Sequence, residues 1–331
     1  MRVIVTGNLG FIGAHFAAWL LREEPAAQVI GFARKGNERN EARGRLIAPG
    51  DRGRFVQMWG DLTDRKALSG LCEDVDVVVN FAAKTFVDHS LKDIHPFVQS
   101  NILGADALME DATRYRVRCF VQVGTDEVYG QIMEGRYSED APLNPRNPYA
   151  WTKACADLDA LWRHRTYGFP AIVTRTENNF GPFQDRQKAL PTFTRKALAG
   201  EPLPVYGDGR HVRCWLYVED HCRAIWHLVL MGLGVPHGDT IHEPVIGEIF
   251  HVAGEREVMN LDLARAVLRI LGRPEEQIEL LPDLDIRPGH DRRYALDVSK
   301  LRATGWAPAF DFEERLEATV RWYAENAWWL R

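Results

Sequence analysis

The chain has 331 residues, 46% hydrophobic and 26% charged, enough apolar material for a large buried core and two lobes. Its formal net charge of -5 offers no basic field to a nucleic-acid backbone, and no apolar run approaches the length that spans a bilayer. The opening "MRVIVTG" leaves no room for a signal peptide. Cys72, Cys119, Cys155, Cys214 and Cys222 are odd in number, widely spaced and lack a C-x-x-C pair, so they read as reduced thiols in a cytoplasmic protein, with no metal site expected.

"RVIVTG" (2–7) is a short apolar run ending in glycine, and "FIGAHFAAWLLREE" (11–24) spaces its apolar residues as a helix does. Gly7, Gly10 and Gly13 lie at the junction, in the spacing G-x-x-G-x-x-G rather than G-x-G-x-x-G. Three glycines alone are turn chemistry. Between a strand and a helix they permit close backbone approach to a pyrophosphate, and the helix N-terminus supplies free N–H groups. The next strand is "AQVIGFA" (27–33). An acid for the ribose 2′-hydroxyl of NAD is expected near its end, but Ala33 stands there, followed by Arg34 and Lys35. A guanidinium forks onto a 2′-phosphate, which tilts the reading toward NADP; the alternative is a solvated basic loop.

"RFVQMWGD" (54–61) follows, with Asp61 within reach of an adenine. "DVDVVVNFAA" (74–83), "RCFVQVG" (118–124) and "PAIVTRTENNF" (170–180) are further strands, with helical stretches over 93–115 and 149–167. Strands alternating with helices predict an α/β fold, a Rossmann-type doubly wound parallel sheet. After residue 180 proline, glycine and mixed segments dominate, up to a helix over 216–232, with others near 260–272 and 312–329. The predicted division is a dinucleotide-binding domain of 1–180 plus about 211–233. A smaller C-terminal α/β substrate-binding lobe takes 181–210 and 234–331.

Two stretches carry chemistry. In "NPRNPYAWTKACADLDALW", Asn147 caps a helix, Pro148 fits its first turn, and Tyr149 and Lys153 stand four apart on one face. An ammonium beside a phenol lowers the phenol's pKa and makes Tyr149 a base for a hydroxyl proton. "GTDEVYG" (124–130) sets Thr125, Asp126 and Glu127 after an apolar strand. Oxidation needs only the tyrosine and lysine; two extra acids suit elimination of water, one taking a proton and one giving it. Adjacent strand residues face opposite ways, so both acids reach one ligand only where the strand breaks into a loop.

Glycine loop, hydroxyl-bearing strand end and Tyr-x-x-x-Lys, in this order, resemble the extended short-chain dehydrogenase/reductase superfamily. "GTDEVYG" is similar to the Thr-Asp-Glu motif of its dTDP-glucose 4,6-dehydratases, as are "RTENNFGPFQDRQKALPTF" (175–193), "LPVYGDGRHVRCWLYVEDHCRA" (203–224) and "RPGHDRRYALD" (287–297). The resemblance implies a tightly bound, recycled NAD(P)+, with NAD usual in the family, and an NDP-hexose substrate oxidised at C4 and dehydrated across C5 and C6. It gives Thr125 to the C4 oxygen, Asp126 to the acid and Glu127 to the base. Tyr149 and Lys153 run the oxidation. Phe11, Ile12, Leu62, Ala82 and Asn101 join the glycines, Arg34 and Asp61 around the cofactor. Thr85, Asn179, Lys188, Arg213, Asn260, His290 and Tyr294 line the substrate pocket. A homodimer through helices of the 93–115 and 149–167 type is implied, as is a 4-epimerase or another NDP-hexose as the alternative. The chain departs from the pattern at Asn8-Leu9, Lys84, Phe86, Glu177 and Cys214. Lys84 and Glu177 either pair with each other or read a different sugar. His221 and His227 read as packing or surface residues, and Trp322, Trp328 and Trp329 as lobe core or dimer contact.

Overall fold

A computed structural model describes residues 1–36, 38–235, 245–282 and 291–331. Seven parallel strands form one sheet: β1 (Arg2–Thr6), β2 (Gln28–Ala33), β3 (Phe55–Trp59), β4 (Val77–Asn80), β5 (Cys119–Thr125), β6 (Ala171–Thr176) and, from late in the chain, the strand Ile249–Val252. Numbering continues with β7 (Asn178–Phe180), β8 (Leu203–Tyr206), β9 (Val212–Tyr217), that late strand as β10, β11 (Arg256–Met259) and β12 (Ile278–Leu281). The sheet order is β10-β6-β5-β4-β1-β2-β3. β4 and β5 are buried along their whole length, which is why they read as unbroken apolar runs rather than alternating ones.

Helices α1 (Phe11–Glu23), α2 (Gly104–Arg114), α3 (Pro148–Tyr167), α4 (Ala189–Ala199), α5 (Val218–Gly232), α6 (Asn260–Ile270) and α7 (Phe312–Glu325) cover the strands. α1 and α5 share one core beneath the sheet through Phe16, Leu20, Ile225 and Leu228. α2 and α3 share the other through Leu108, Met109, Ala160 and Leu161. The doubly wound sheet is therefore as predicted. A second lobe gathers α4, α6 and α7 about a separate core of Phe193, Leu203, Val267 and Leu316. It carries the three-stranded sheet β11-β9-β7 and the pair β12-β8.

The structure revises several sequence boundaries. The stretch 93–115 is helical from His95 to Arg114, as read, but it widens into a π turn at Val98–Leu103 before α2, and Asn101 is buried there. The stretch 170–180 is two strands broken at Glu177, because β6 stays in the large sheet while β7 pairs with β9 of the second lobe. β10 falls in numbers assigned to the second lobe yet pairs with β6, register Ile249 to Val173. β9, assigned to the first lobe, lies in the small sheet. Short crossing segments like these have no local signal; their partners decide where they go. Among the described residues no helix is long and apolar enough to cross a membrane.

Candidate active site

The site lies at the C-terminal ends of β1, β4, β5 and β6, where a parallel sheet opens toward its loops. At β1, Gly7 has φ +67°, and a Cβ there would stand 2.9 Å from the Ala82 nitrogen. Only glycine fits, and a Cβ on Gly13 would come 2.5 Å from the Gly7 carbonyl. The turn delivers the chain into α1, which has neither a side-chain cap nor an acid in its first turn. Its first N–H groups point into a cavity of about 530 Å³ lined by Gly7, Gly10, Phe11, Ile12 and Gly13.

The same cavity is lined by Thr125, Asp126, Glu127, Tyr149 and Lys153. β5 ends at Thr125 and the chain enters a tight 3₁₀ turn over Asp126–Tyr129, so the two successive acids share one space. Thr125 Oγ1 is the hub. It bonds Asp126 Oδ1 at 3.1 Å, receives the Glu127 N–H at 3.4 Å and shares a hydrogen bond with the Tyr149 phenol. Asn147 caps α3 by accepting the Ala150 N–H at 2.8 Å, while its Nδ2 donates to Glu127 Oε2 at 2.9 Å. The sequence identified that residue as a cap only.

Electrostatics separate the acids. Burial first, then the charges of Glu177 and Glu127, push the Asp126 carboxyl well above its ordinary range, toward the protonated form. Burial also raises Glu127, but Asn147, Lys188 and Arg213 oppose it. Tyr149 departs from expectation. Burial and the neighbouring Glu127 drive its phenol upward rather than down. The reason lies with Lys153, whose ammonium donates to the Val123 carbonyl at 2.5 Å and faces Asp157 rather than neutralising the phenol. Asp157 in turn holds Arg175 at 3.0 Å, and Arg175 donates to the Tyr129 hydroxyl at 2.5 Å. Tyr129 meets His251 of β10 at 2.7 Å. This buried polar chain links Lys153, in the cavity wall, to β10.

Of the predicted substrate residues, Thr85, Asn179, Lys188, Arg213, Asn260 and Tyr294 all line the cavity, and His290 lies outside the described residues. Arg213 is anchored on the Asp291 carbonyl at 2.9 Å and lies over the Tyr294 ring at 4.6 Å. Lys188 stands 4.9 Å over the Phe86 ring.

Five predicted cofactor residues are not in the cavity wall. Arg34 pairs with Asp61 at 3.6 Å on the exposed rim. Leu62 packs in the core against Gly104. The Ala82 N–H is taken by Thr6 Oγ1 at 3.2 Å, although its neighbours Phe81 and Ala83 do line the wall. Asn101 spends its amide on both backbone groups of Lys84 and on Thr152, clipping the loop after β4 onto α3.

Lys84 and Glu177 make no ion pair among the described residues. Glu177 Oε1 instead accepts the Leu296 N–H at 2.9 Å beside the Cys214 thiol, and burial raises its carboxyl to about 7. The Cys214 thiol donates to the Gly254 carbonyl at 3.1 Å. Arg292 and Arg293 are both surface partners of acids, Asp208 and Glu257. His221 is fully buried against Phe81, as a packing residue. Trp329 is core, whereas Trp328 remains exposed.

A doubly wound sheet, a glycine turn feeding a bare helix N-terminus, and a threonine, tyrosine and lysine about one cavity define the extended short-chain dehydrogenase/reductase class. Within it, the chain belongs to the GDP-mannose 4,6 dehydratase family, whose description matches residues 4–319. It is 41% identical over 335 residues to a dTDP-glucose 4,6-dehydratase of Streptomyces niveus, covering 99% of this chain and 95% of that one. It is also 41% identical over 324 residues to the low-salt glycan biosynthesis protein Agl12 of Haloferax volcanii, covering 98% of each. Among solved structures it is similar to DesIV, a dTDP-glucose 4,6-dehydratase of Streptomyces venezuelae with NAD bound. That match has a TM-score of 0.88 and 38% identity, over 99% of this chain and 98% of that one.

Proposed function

We propose that the protein is a nucleotide-sugar 4,6-dehydratase, a hydro-lyase that converts dTDP-glucose to the 4-keto-6-deoxy sugar and water. One observation carries the reading: Asp126 and Glu127 line the same cavity as Thr125, Tyr149 and Lys153. The relatives named above, dTDP-glucose 4,6-dehydratases over almost their whole length, support it further. A nicotinamide cofactor, when bound, accepts a hydride from C4 and returns it to C6. The chain's own groups do the rest. Tyr149 takes the C4 hydroxyl proton once the positive nicotinamide ring, when bound beside it, offsets the burial that keeps its phenol protonated in the free protein, with Thr125 holding the C4 oxygen. The ketone acidifies C5, Glu127 removes that proton, and protonated Asp126 delivers its own to the departing C6 hydroxyl, which leaves as water; Glu127 then gives its proton back to C5 as C6 regains the hydride.

For the cofactor, Ala33 and Arg34 favour a 2′-phosphate, but the Asp61 carboxylate 3.6 Å from Arg34 repels one. NAD is therefore the proposed form, in keeping with the NAD of DesIV. The exposed stripe Trp151, Leu158 and Trp162 on α3, with Leu103 beside it, supports a homodimer through this face.

The test is NMR of the product from dTDP-glucose. A 4-keto-6-deoxy sugar is expected; a C4 epimer that keeps its 6-hydroxyl overturns the assignment in favour of a 4-epimerase. Alkaline absorbance of the keto sugar across a panel of NDP-hexoses reads the preferred base and sugar.

A further inference from the structure

Arg43 ends the short helix Glu38–Arg43 after β2 and is only 6% exposed. Its Nε donates to the Phe183 carbonyl at 3.1 Å, and its Nη1 to the Leu9 carbonyl at 3.1 Å and to Asn40 Oδ1 at 3.3 Å. Its guanidinium carbon stands 4.9 Å from the Trp329 ring centroid. All of these partners are neutral. Among the described residues no carboxylate lies within ion-pair distance, and Asp185 acts on it only across space. Buried cations are ordinarily paired, and an uncompensated one is costly. Burial accordingly pulls this guanidinium's pKa down.

The same residue lines the cavity with Gly10, Phe11 and Ile12, and the carbonyl it holds belongs to the glycine turn itself. Two independent features thus face one space: an uncapped helix N-terminus and a guanidinium without a counter-charge. We infer that Arg43 is a ligand of the dinucleotide's diphosphate, the anion that completes its charge. The inference rests on the cofactor reading above. A forked guanidinium and α1's N–H groups hold the diphosphate from two sides. The hold on Phe183 and the contact with Trp329 tie that event to the second lobe. Arg34 lies on the exposed rim, so any 2′-phosphate would meet a different group.

The test is calorimetric titration of the full-length protein, wild type and Arg43→Gln, with adenosine, ADP, NAD and NADP. The expected result is a loss of about 10- to 100-fold for ADP, NAD and NADP alike, with adenosine changed less than about twofold. An equal loss for adenosine overturns the inference in favour of a merely structural role for Arg43. A loss confined to NADP assigns it to the 2′-phosphate and likewise overturns it, as does unchanged ADP affinity. Should Arg43→Gln fail to fold, Arg43→Lys keeps the charge but not the fork. A loss of about 3- to 10-fold on ADP is then expected, and wild-type affinity overturns the proposal. A wild-type protein that binds neither NAD nor NADP refutes the cofactor reading itself.

Discussion

At the scale of single residues, the site separates two adjacent acids by surroundings rather than by sequence distance. Asp126 is pushed toward its protonated form by burial and by the nearby charges of Glu177 and Glu127; Glu127 is restrained by Asn147, Lys188 and Arg213. Glu127→Gln is expected to bind NAD normally and lose water elimination by about 100- to 10,000-fold, read as the rate of 4-keto-6-deoxy product; wild-type turnover rejects Glu127 as the base. Glu177 allows a thermodynamic test. Its carboxyl rises from an ordinary 4.5 to about 7 through burial. A raised pKa means that the stability tied to the proton is whole below pH 4.5 and lost as pH climbs through 7. Glu177→Gln keeps an oxygen for the Leu296 N–H but has no charge to bury. Urea unfolding should show it gaining on wild type between those pH values, by about 3 kcal/mol at pH 8. A pH-independent difference contradicts this.

At the scale of elements, α3 does two jobs through one residue. Asn147 accepts at the helix start and donates to Glu127. Asn147→Asp preserves the cap, so stability should hold to within about 0.5 kcal/mol. It also replaces the donor with a second acid, which raises Glu127 further, and kcat at pH 7 should fall about 10-fold or more. One turn beyond Lys153, Asp157 binds the fully buried Arg175. Asp157→Ala strands that cation and should cost about 3–5 kcal/mol in urea unfolding. These elements were legible to different degrees. The glycine turn, α3 with its Tyr-x-x-x-Lys, and the break after Thr125 could be read because each depends on local chemistry. The pairing of β10 with β6, the diversion of Asn101 into a clip and the upward shift of Tyr149 could not. Each depends on groups distant in the chain, which a motif does not carry. Arg43 was missed for the same reason: its meaning lies in the missing carboxylate, visible only in three dimensions.

At the scale of the whole molecule, two lobes with separate cores meet over one cavity, and the outer face of α3 carries Trp151, Leu158 and Trp162 in a stripe along one side. Leu158→Glu puts a charge in the middle of that stripe. If the proposed homodimer forms through this face, sedimentation should report a shift from dimer to monomer on this substitution, while an unchanged mass places the interface elsewhere. The return of β10 bears on how the polypeptide divides. Its His251 ends the buried polar chain that runs from Lys153, and its backbone covers the flank of β6, so the late chain mends an edge the early chain leaves open. Severed after residue 233, the amino-terminal piece keeps its glycine turn and its tyrosine but presents a raw strand margin. It should precipitate rather than act as a miniature enzyme: the molecule is sewn from both ends and cannot be halved along its visible cleft.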